Sequence, residues 1–293
     1  MTFRSGLVAV VGRPNVGKST LVNALVGQKV AIVSNKPQTT RHDIRGIRTT
    51  DEHQIVFTDT PGFHKPRTLL GSRLNELVGD ATAGVDVLVQ VVDAKAGVGR
   101  GDAYVFERRV QGTGIPAICA VNKLDLLRHH QRVPQLQAAA DLGGFEEIVP
   151  ISALTGGGLD VLLELLVARL PEGPPLYPPD DITDQSIESR LAELVREQAL
   201  HVTHQEVPHS IAVVIEELDR EDDVVKIHAS LIVERDSQKG IVIGKGGQTL
   251  KTIGTHAREE MELLLGKRVF LDLRVKVFKE WQRDPRALER LGF

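Results

Sequence analysis

Gly12-Arg13-Pro14-Asn15-Val16-Gly17-Lys18-Ser19 lies between the apolar run Leu7–Val11 and the helically spaced stretch Thr20–Val26. A glycine, four residues, then Gly-Lys-Ser is the pattern of a phosphate-binding loop, and a strand before it with a helix after it is the context such a loop needs. Glycines let backbone amides wrap a phosphate closely. The helix N-terminus adds aligned N–H groups and partial positive charge. Gly12, Asn15, Val16, Gly17 and Thr20 are expected around the nucleotide phosphates. Lys18 is expected on the β- and γ-phosphates, and the Ser19 hydroxyl on Mg2+.

Working outward, three further motifs follow at strand ends. Asp59-Thr60-Pro61-Gly62 closes the run Gln54–Thr58, where Asp59 can hold Mg2+ through its water shell and the Gly62 amide can meet the γ-phosphate. Asn122-Lys123-Leu124-Asp125 closes Ile115–Val121. The two oxygens of Asp125 suit the N1–H and 2-amino donors of guanine, an arrangement adenine lacks. Lys123 is expected to lie along the base, and Asn122 to brace neighbouring loops. Ser152-Ala153-Leu154 closes Glu147–Pro150, with the Ala153 amide expected at the guanine carbonyl oxygen. Together these turn a nucleotide site into a GTP/GDP site.

The strand candidates Leu7–Val11, Ile44–Arg48, Gln54–Thr58, Val85–Val92, Ile115–Val121 and Glu147–Pro150 alternate with helical patterns. Several are apolar throughout, as strands covered on both faces should be. The expectation is an α/β domain with a mostly parallel, doubly wound sheet over residues 1–172. Residues 173–180, rich in proline, read as a stiff linker. From 181 to 293 the order is helix Ile187–His201, strands Ser210–Glu217 and Val224–Val233, a glycine-rich loop flanked by helices, and strand Arg268–Val277. A short helix near Arg286–Leu291 closes this α+β unit.

Within it, Val242-Ile243-Gly244-Lys245-Gly246-Gly247 precedes the helix Thr249–Leu265. An α-β-β-α-α-β order around Gly-x-x-Gly fits a type II KH domain, whose loop clamps single-stranded RNA. Ile243, Gly244, Lys245, Gly246, Gly247 and Lys251 are the expected RNA contacts. Ile241, Ile243 and Ile253, with Leu271 and Leu273, are expected to line a groove for bases. The net charge of −3 conceals an asymmetry. Residues 181–234 hold 4 Lys and Arg against 13 Asp and Glu, while 235–293 hold 13 against 8. A basic face for a polyanion is thus available. His201, His204 and His209 lack partner cysteines and read as surface residues. Trp281 and Phe278 read as core or interface residues before base-stacking ones.

Hydrophobic residues at 41% and charged residues at 26% are those of a folded globular chain. Cys119 is the only cysteine, so no internal disulfide forms. The N-terminal residues run into a strand almost at once, leaving no room for a signal peptide, and no apolar stretch approaches the ~20 residues of a membrane span. A reducing cytoplasm is the expected setting.

The four nucleotide motifs, in this order over residues 7–170, resemble the translation-factor-related branch of small GTPases. Lys36-Pro37-Gln38-Thr39-Thr40-Arg41-His42 looks like the first switch of that branch. The resemblance implies that Thr40, with Thr39 as the nearby alternative, completes the Mg2+ shell when the γ-phosphate is present. Lys18, Thr40 and Gly62 would then carry catalysis. Phe63 stands where Ras-like enzymes place the water-orienting glutamine, so intrinsic hydrolysis should be slow. Asn15 resembles a position that holds K+ in some related enzymes, although a loop-stabilising hydrogen bond explains it equally well.

Over essentially the whole chain, this GTPase pattern, the proline-rich linker, the KH signature and the closing Trp281…Arg286-Ala287-Leu288…Leu291-Gly292 resemble the Era family. That resemblance implies binding near the 3′ end of 16S ribosomal RNA and a role in assembling the 30S subunit. It also implies peripheral association with the inner face of the cell membrane and a monomeric state. Two rivals carry less. GTPases of tRNA modification share the switch but lack a KH domain, and a passive RNA-binding scaffold would not need Lys18, Ser19, Asp59 and Asp125 intact.

Overall fold

The computed structural model describes residues 2–36, 39–62, 68–82, 84–204, 207–220 and 223–291. They form two compact units, one built mainly from residues up to Asp184 and the other mainly from Gln185 onward.

The first unit runs β1 (Arg4–Val11), α1 (Lys18–Val26), β2 (Ile44–Thr49), β3 (His53–Asp59), α2 (Leu69–Ala81), β4 (Val87–Asp93), α3 (Arg100–Arg109), β5 (Ala117–Asn122), α4 (His129–Ala140), β6 (Glu147–Pro150) and α5 (Leu159–Arg169). The sheet order is β2-β3-β1-β4-β5-β6, parallel except for β2, which pairs antiparallel with β3. Adjacent residues of β1 serve opposite layers. Val8 and Val10 pack with Leu21, Leu25, Leu162 and Leu166 of α1 and α5, whereas Ala9 and Val11 pack with Val105 and Phe106 of α3. An apolar residue is therefore needed at every position, and the run reads as continuous for that reason. Strand order reverses between β1 and β4. In open α/β sheets ligands bind at such a switch point, outside the carboxyl ends of the strands.

The proline-rich run is not a free spacer. Glu172 bridges Arg4 of β1, and the Ser5 hydroxyl donates to the Pro174 carbonyl at 2.6 Å. Gln54, fully buried in β3, accepts from the amides of Leu176 and Tyr177 at 2.7 and 2.9 Å and donates to the Tyr177 carbonyl at 2.9 Å. Residues 173–180, read as a stiff linker, are fastened to the first unit.

The second unit runs α6 (Ile187–Val202), β7 (Ala212–Arg220), β8 (Val224–Val233), α7 (Asp236–Ile243), α8 (Gln248–Leu265), β9 (Arg268–Val277) and α9 (Pro285–Arg290). This is the α-β-β-α-α-β order with a short closing helix. β8 is central, antiparallel to β7 and parallel to β9. Leu191 and Val195 of α6 and Ile253, Ala257 and Met261 of α8 share one core with β8 residues Val225, Ile227 and Leu231. Trp281 is fully buried and donates its Nε1–H to the Ser210 carbonyl at 3.1 Å, so its role is packing. Among the described residues no helix is long and apolar enough to cross a membrane, and no cluster of His, Cys, Asp and Glu suits a metal ion.

Candidate nucleotide site and nucleic-acid interface

The parallel strands deliver their C-terminal ends to one edge of the sheet. Gly12 follows β1, Asp59 ends β3, Asp93 ends β4 and Asn122 ends β5. Gly17, at φ 101°, turns the loop into α1; a Cβ there would lie 2.4 Å from the Asn122 amide nitrogen. Only glycine fits both demands. Lys18, 6% exposed, donates from Nζ to the carbonyls of Gly12 at 3.2 Å and Arg13 at 3.0 Å. Burial pushes its pKa down to about 8, opposed by the charge of Asp59. A desolvated ammonium of this kind is suited to an anionic ligand.

Ser19 Oγ donates to Asp59 Oδ2 at 2.6 Å, Thr40 Oγ1 donates to the same oxygen at 3.0 Å, and the two hydroxyls lie 2.9 Å apart. Asp59 is fully buried, and its other oxygen, Oδ1, has no hydrogen-bond partner among the described residues. Burial raises its pKa, with Lys18, Ser19 and Thr40 pulling the other way. Three hard oxygen donors converging beside an unpaired buried carboxylate oxygen fit a small divalent cation that keeps further ligands for phosphate and water. Thr40 faces this cluster. Thr39, the other alternative at the first switch, donates instead to the Lys36 carbonyl at 2.7 Å and contacts the Ser34 hydroxyl. Gly62 packs against Pro14, where an added Cβ would fall 2.8 Å from the Pro14 Cα. Pro37, Gln38, Phe63 and Gly292 lie outside the described residues.

Asn122 is 3% exposed and joins two loops. Its Nδ2 donates to the Val16 carbonyl, and its Oδ1 accepts from the Ala153 amide, both at 2.9 Å. The Ala153 N–H, expected at the guanine carbonyl oxygen, is donated to Asn122 here. Ser152 Oγ accepts from the Thr155 amide, closing the turn. Lys123, at φ 66°, donates from Nζ to the Asn15 carbonyl at 2.7 Å and to Asp93 Oδ2 at 2.6 Å. Asp125 lies exposed in a 3-10 turn at residues 124–126. Thr20 sits in the first turn of α1 and Asn15 takes φ 64° in the loop.

Sequence reading missed Asp93. Its Oδ1 accepts from the amides of Lys95 and Ala96 while Oδ2 holds Lys123, so it ties the base-side lysine to the end of β4. A carboxylate closing an apolar strand at the loop edge, as Asp59 does, was the available signal.

In the second unit, Gly244 (φ 74°), Gly246 (φ 61°) and Gly247 (φ 79°) hold the loop between α7 and α8 in conformations that side chains resist. Lys245 and Lys251 are exposed beside it. A groove runs along α8, lined by Gly247, Leu250, Lys251 and Gly254 on one side and by Leu271 and Leu273 of β9 on the other. Gly254 gives it a floor: an added Cβ there meets nothing within 4 Å. Ile253, assigned to this groove, is instead fully buried in the core, on the side of α8 it shares with Ala257 and Met261. Ile243 is half-buried against the same core, and Ile241 is exposed but does not line the groove. Arg258 and Lys276, two of the basic residues of this half of the chain, form ion pairs with Glu262 and Glu216.

The family described as "50S ribosome-binding GTPase" matches residues 7–123, and the family described as "KH domain" matches residues 206–282. The chain is 53% identical to the GTPase Era of Mycolicibacterium smegmatis over 296 residues, covering 99% of each protein. It is 53% identical to that of Mycobacterium tuberculosis over 299 residues, again 99% of each. Among solved structures, Era in complex with MgGDPNP and nucleotides 1506–1542 of 16S ribosomal RNA superposes with a TM-score of 0.96 at 41% identity, covering 99% of both chains. A variant of Aquifex aeolicus Era bound to GDP·AlF4− has the same TM-score, identity and coverage.

Proposed function

The chain belongs to the Era GTPase family, and from that premise we propose that it is a GTP-hydrolysing switch that binds 16S ribosomal RNA near its 3′ end and assists maturation of the small (30S) ribosomal subunit. The observation that carries the nucleotide half is the convergence of Ser19, Thr40 and Asp59, with the unpaired Oδ1 of Asp59, beside the buried ammonium of Lys18.

In this reading Lys18 leaves the carbonyls of Gly12 and Arg13 for the β- and γ-phosphates and stabilises the charge that develops as the γ-phosphoryl departs. The Ser19 and Thr40 hydroxyls and Asp59 would hold Mg2+, which when bound would supply positive charge against that of the phosphates. Gly62, free of a side chain against Pro14, presents its amide to the γ-phosphate. Asp125 accepts from the N1–H and 2-amino groups of guanine, Lys123 covers the base, and Asn122 keeps the loops on either side in register. Phe63 offers the attacking water no hydrogen bond. Backbone, solvent or a partner must orient that water, and unassisted turnover is slow.

The RNA half rests on Gly244–Gly247 and the groove beside Gly254. These offer a phosphate backbone close approach, the cations Lys245 and Lys251, and an apolar wall at Leu271 and Leu273. The family description that mentions the 50S subunit covers only residues 7–123. A solved Era of 41% identity, matched over 99% of both chains, is in complex with nucleotides 1506–1542 of 16S ribosomal RNA, so we read the partner as the small subunit. The same reading makes the chain a monomer, with K+ beside Asn15 and a peripheral seat at the cytoplasmic face of the cell membrane; these rest on family resemblance alone.

The experiment is GTP turnover by the full chain, alone and with 16S 3′-end RNA, beside Ser19→Ala. Slow turnover in the parent, lost in the variant while RNA binding persists, is expected. RNA binding without any hydrolysis would refute the switch and leave a passive scaffold.

A further inference from the structure

Arg13, the second residue of the phosphate loop, points away from the phosphate side into a site that none of the nucleotide motifs explains. Its Nε donates to Asp102 Oδ1 at 2.7 Å and its Nη2 to the Gly97 carbonyl at 3.2 Å. Asp102 lies in the first turn of α3 and is fully buried. Its second oxygen accepts from the Gly99 amide at 2.9 Å, and its carbonyl accepts from Gln90, a buried β4 residue, at 2.9 Å. Gly101 completes the seat: a Cβ there would fall 2.4 Å from Arg13 Cδ, so the arginine stem lies directly on the α3 backbone.

We propose that Asp102 is a positioning residue for GTP hydrolysis, clasping Arg13 so that residues 13 and 14 of the phosphate loop hold the γ-phosphate side of the site in place. This inference rests on the GTPase reading above. The Arg13 carbonyl is one of the two acceptors of Lys18 Nζ, and Pro14 abuts Gly62. The short segment Arg13-Pro14 is therefore held by α3 on one side and touches Lys18 and Gly62, the two residues assigned to the γ-phosphate, on the other. The base is handled elsewhere, by Asn122, Lys123 and Asp125, and Val16, Gly17 and Thr20 belong to the later part of the loop and the start of α1, away from the clasp. Loosening the clasp should shift the γ-phosphate contacts while sparing the rest. Displacements on the order of 1 Å at a reacting group cost about a hundredfold in rate.

The chemistry of the pair favours a specific geometry over a simple surface tether. A fully buried carboxylate needs its cation, and breaking such a pair from one side leaves an uncompensated charge. The single variants Arg13→Ala and Asp102→Ala are therefore at risk of misfolding. The neutral pair Arg13→Gln with Asp102→Asn removes both charges together; the glutamine amide nitrogen falls where Arg13 Nε sits and can keep that hydrogen bond, while the bond to the Gly97 carbonyl is lost.

The test uses the full chain. Parent turnover is measured first, since a parent that does not hydrolyse GTP fails the GTPase reading itself and this inference with it. Asp102→Asn and the double variant are then compared with the parent for kcat at saturating GTP, for GDP affinity and for melting temperature. We expect kcat to fall at least about tenfold in both, with GDP affinity within about threefold of the parent. Unchanged kcat in either folded variant overturns the proposal. So does a loss of GDP affinity equal to the loss of kcat, because a purely structural clasp would weaken both alike.

Discussion

Asn122→Ala removes a side chain that is 3% exposed and carries two hydrogen bonds, to the Val16 carbonyl and from the Ala153 amide. Val16 is 2% exposed and Ala153 5%, so the groups left behind are out of reach of bulk water. An unsatisfied buried backbone group costs about 1–3 kcal/mol, which gives roughly 2–6 kcal/mol for the two. Water entering the space Asn122 vacates would trim the figure toward its lower end. If 2–4 kcal/mol is lost to folding, the melting temperature should drop by roughly 5–15 °C, at about 2–4 °C per kcal/mol for a unit of this size. If the fold instead survives with its loops released, GDP binding must reorder them, and affinity should fall by about 30- to 1,000-fold at 1.4 kcal/mol per decade. Thermal melts of the nucleotide-free chain and GDP titration measure the two shares. Asn122→Asp keeps the acceptor for Ala153 but turns an oxygen toward the Val16 carbonyl, and should be no better than alanine. A melting temperature and GDP affinity both indistinguishable from the parent would refute the bracing role.

Asp125→Asn should trade GTP for xanthosine triphosphate, with discrimination changing by on the order of 10⁴, read by competition binding. Changing Lys245→Asp with Gly246→Asp should sharply lower affinity for 16S 3′-end RNA and make its salt dependence shallower, because fewer counterions are released. GTP affinity should hold; a Cβ at Gly246 meets nothing within 4 Å, but its φ of 61° strains any side chain, so a melting curve of the variant accompanies the titration. Cys119 is fully buried and its thiol is pushed up to about 12, chiefly by burial, so a maleimide at pH 8 should label it only after unfolding.

What the sequence disclosed and what it withheld divide along a physical line. The nucleotide motifs are local: each is a few consecutive residues whose backbone must take one shape, so spacing alone exposes them. The strands of the first unit were legible because both faces are buried. Their ends were not, since β5 runs on to Asn122 only because that residue pairs with Asp93 across the sheet. Asp102 and Asp93 act through partners 89 and 30 residues away, and no periodicity marks such pairs. Ile253 was misread for a similar reason. An isoleucine near a glycine loop looks available to a ligand, and only the rotation of α8 decides which face it occupies.

Gln54 carries a consequence for cutting the molecule apart. Composition invites a truncation after Glu172, before the prolines, to isolate the nucleotide unit. That cut would strip the buried Gln54 amide of both donors it accepts from and of one acceptor, leaving only its bond to Thr49. It would also take Tyr177 from Arg45, whose guanidinium donates to the phenol oxygen at 2.8 Å. A fragment ending at 172 should therefore be poorly behaved, prone to aggregate through an uncovered edge of its own sheet. One ending near Asp184 keeps its seam closed, and is the piece to make.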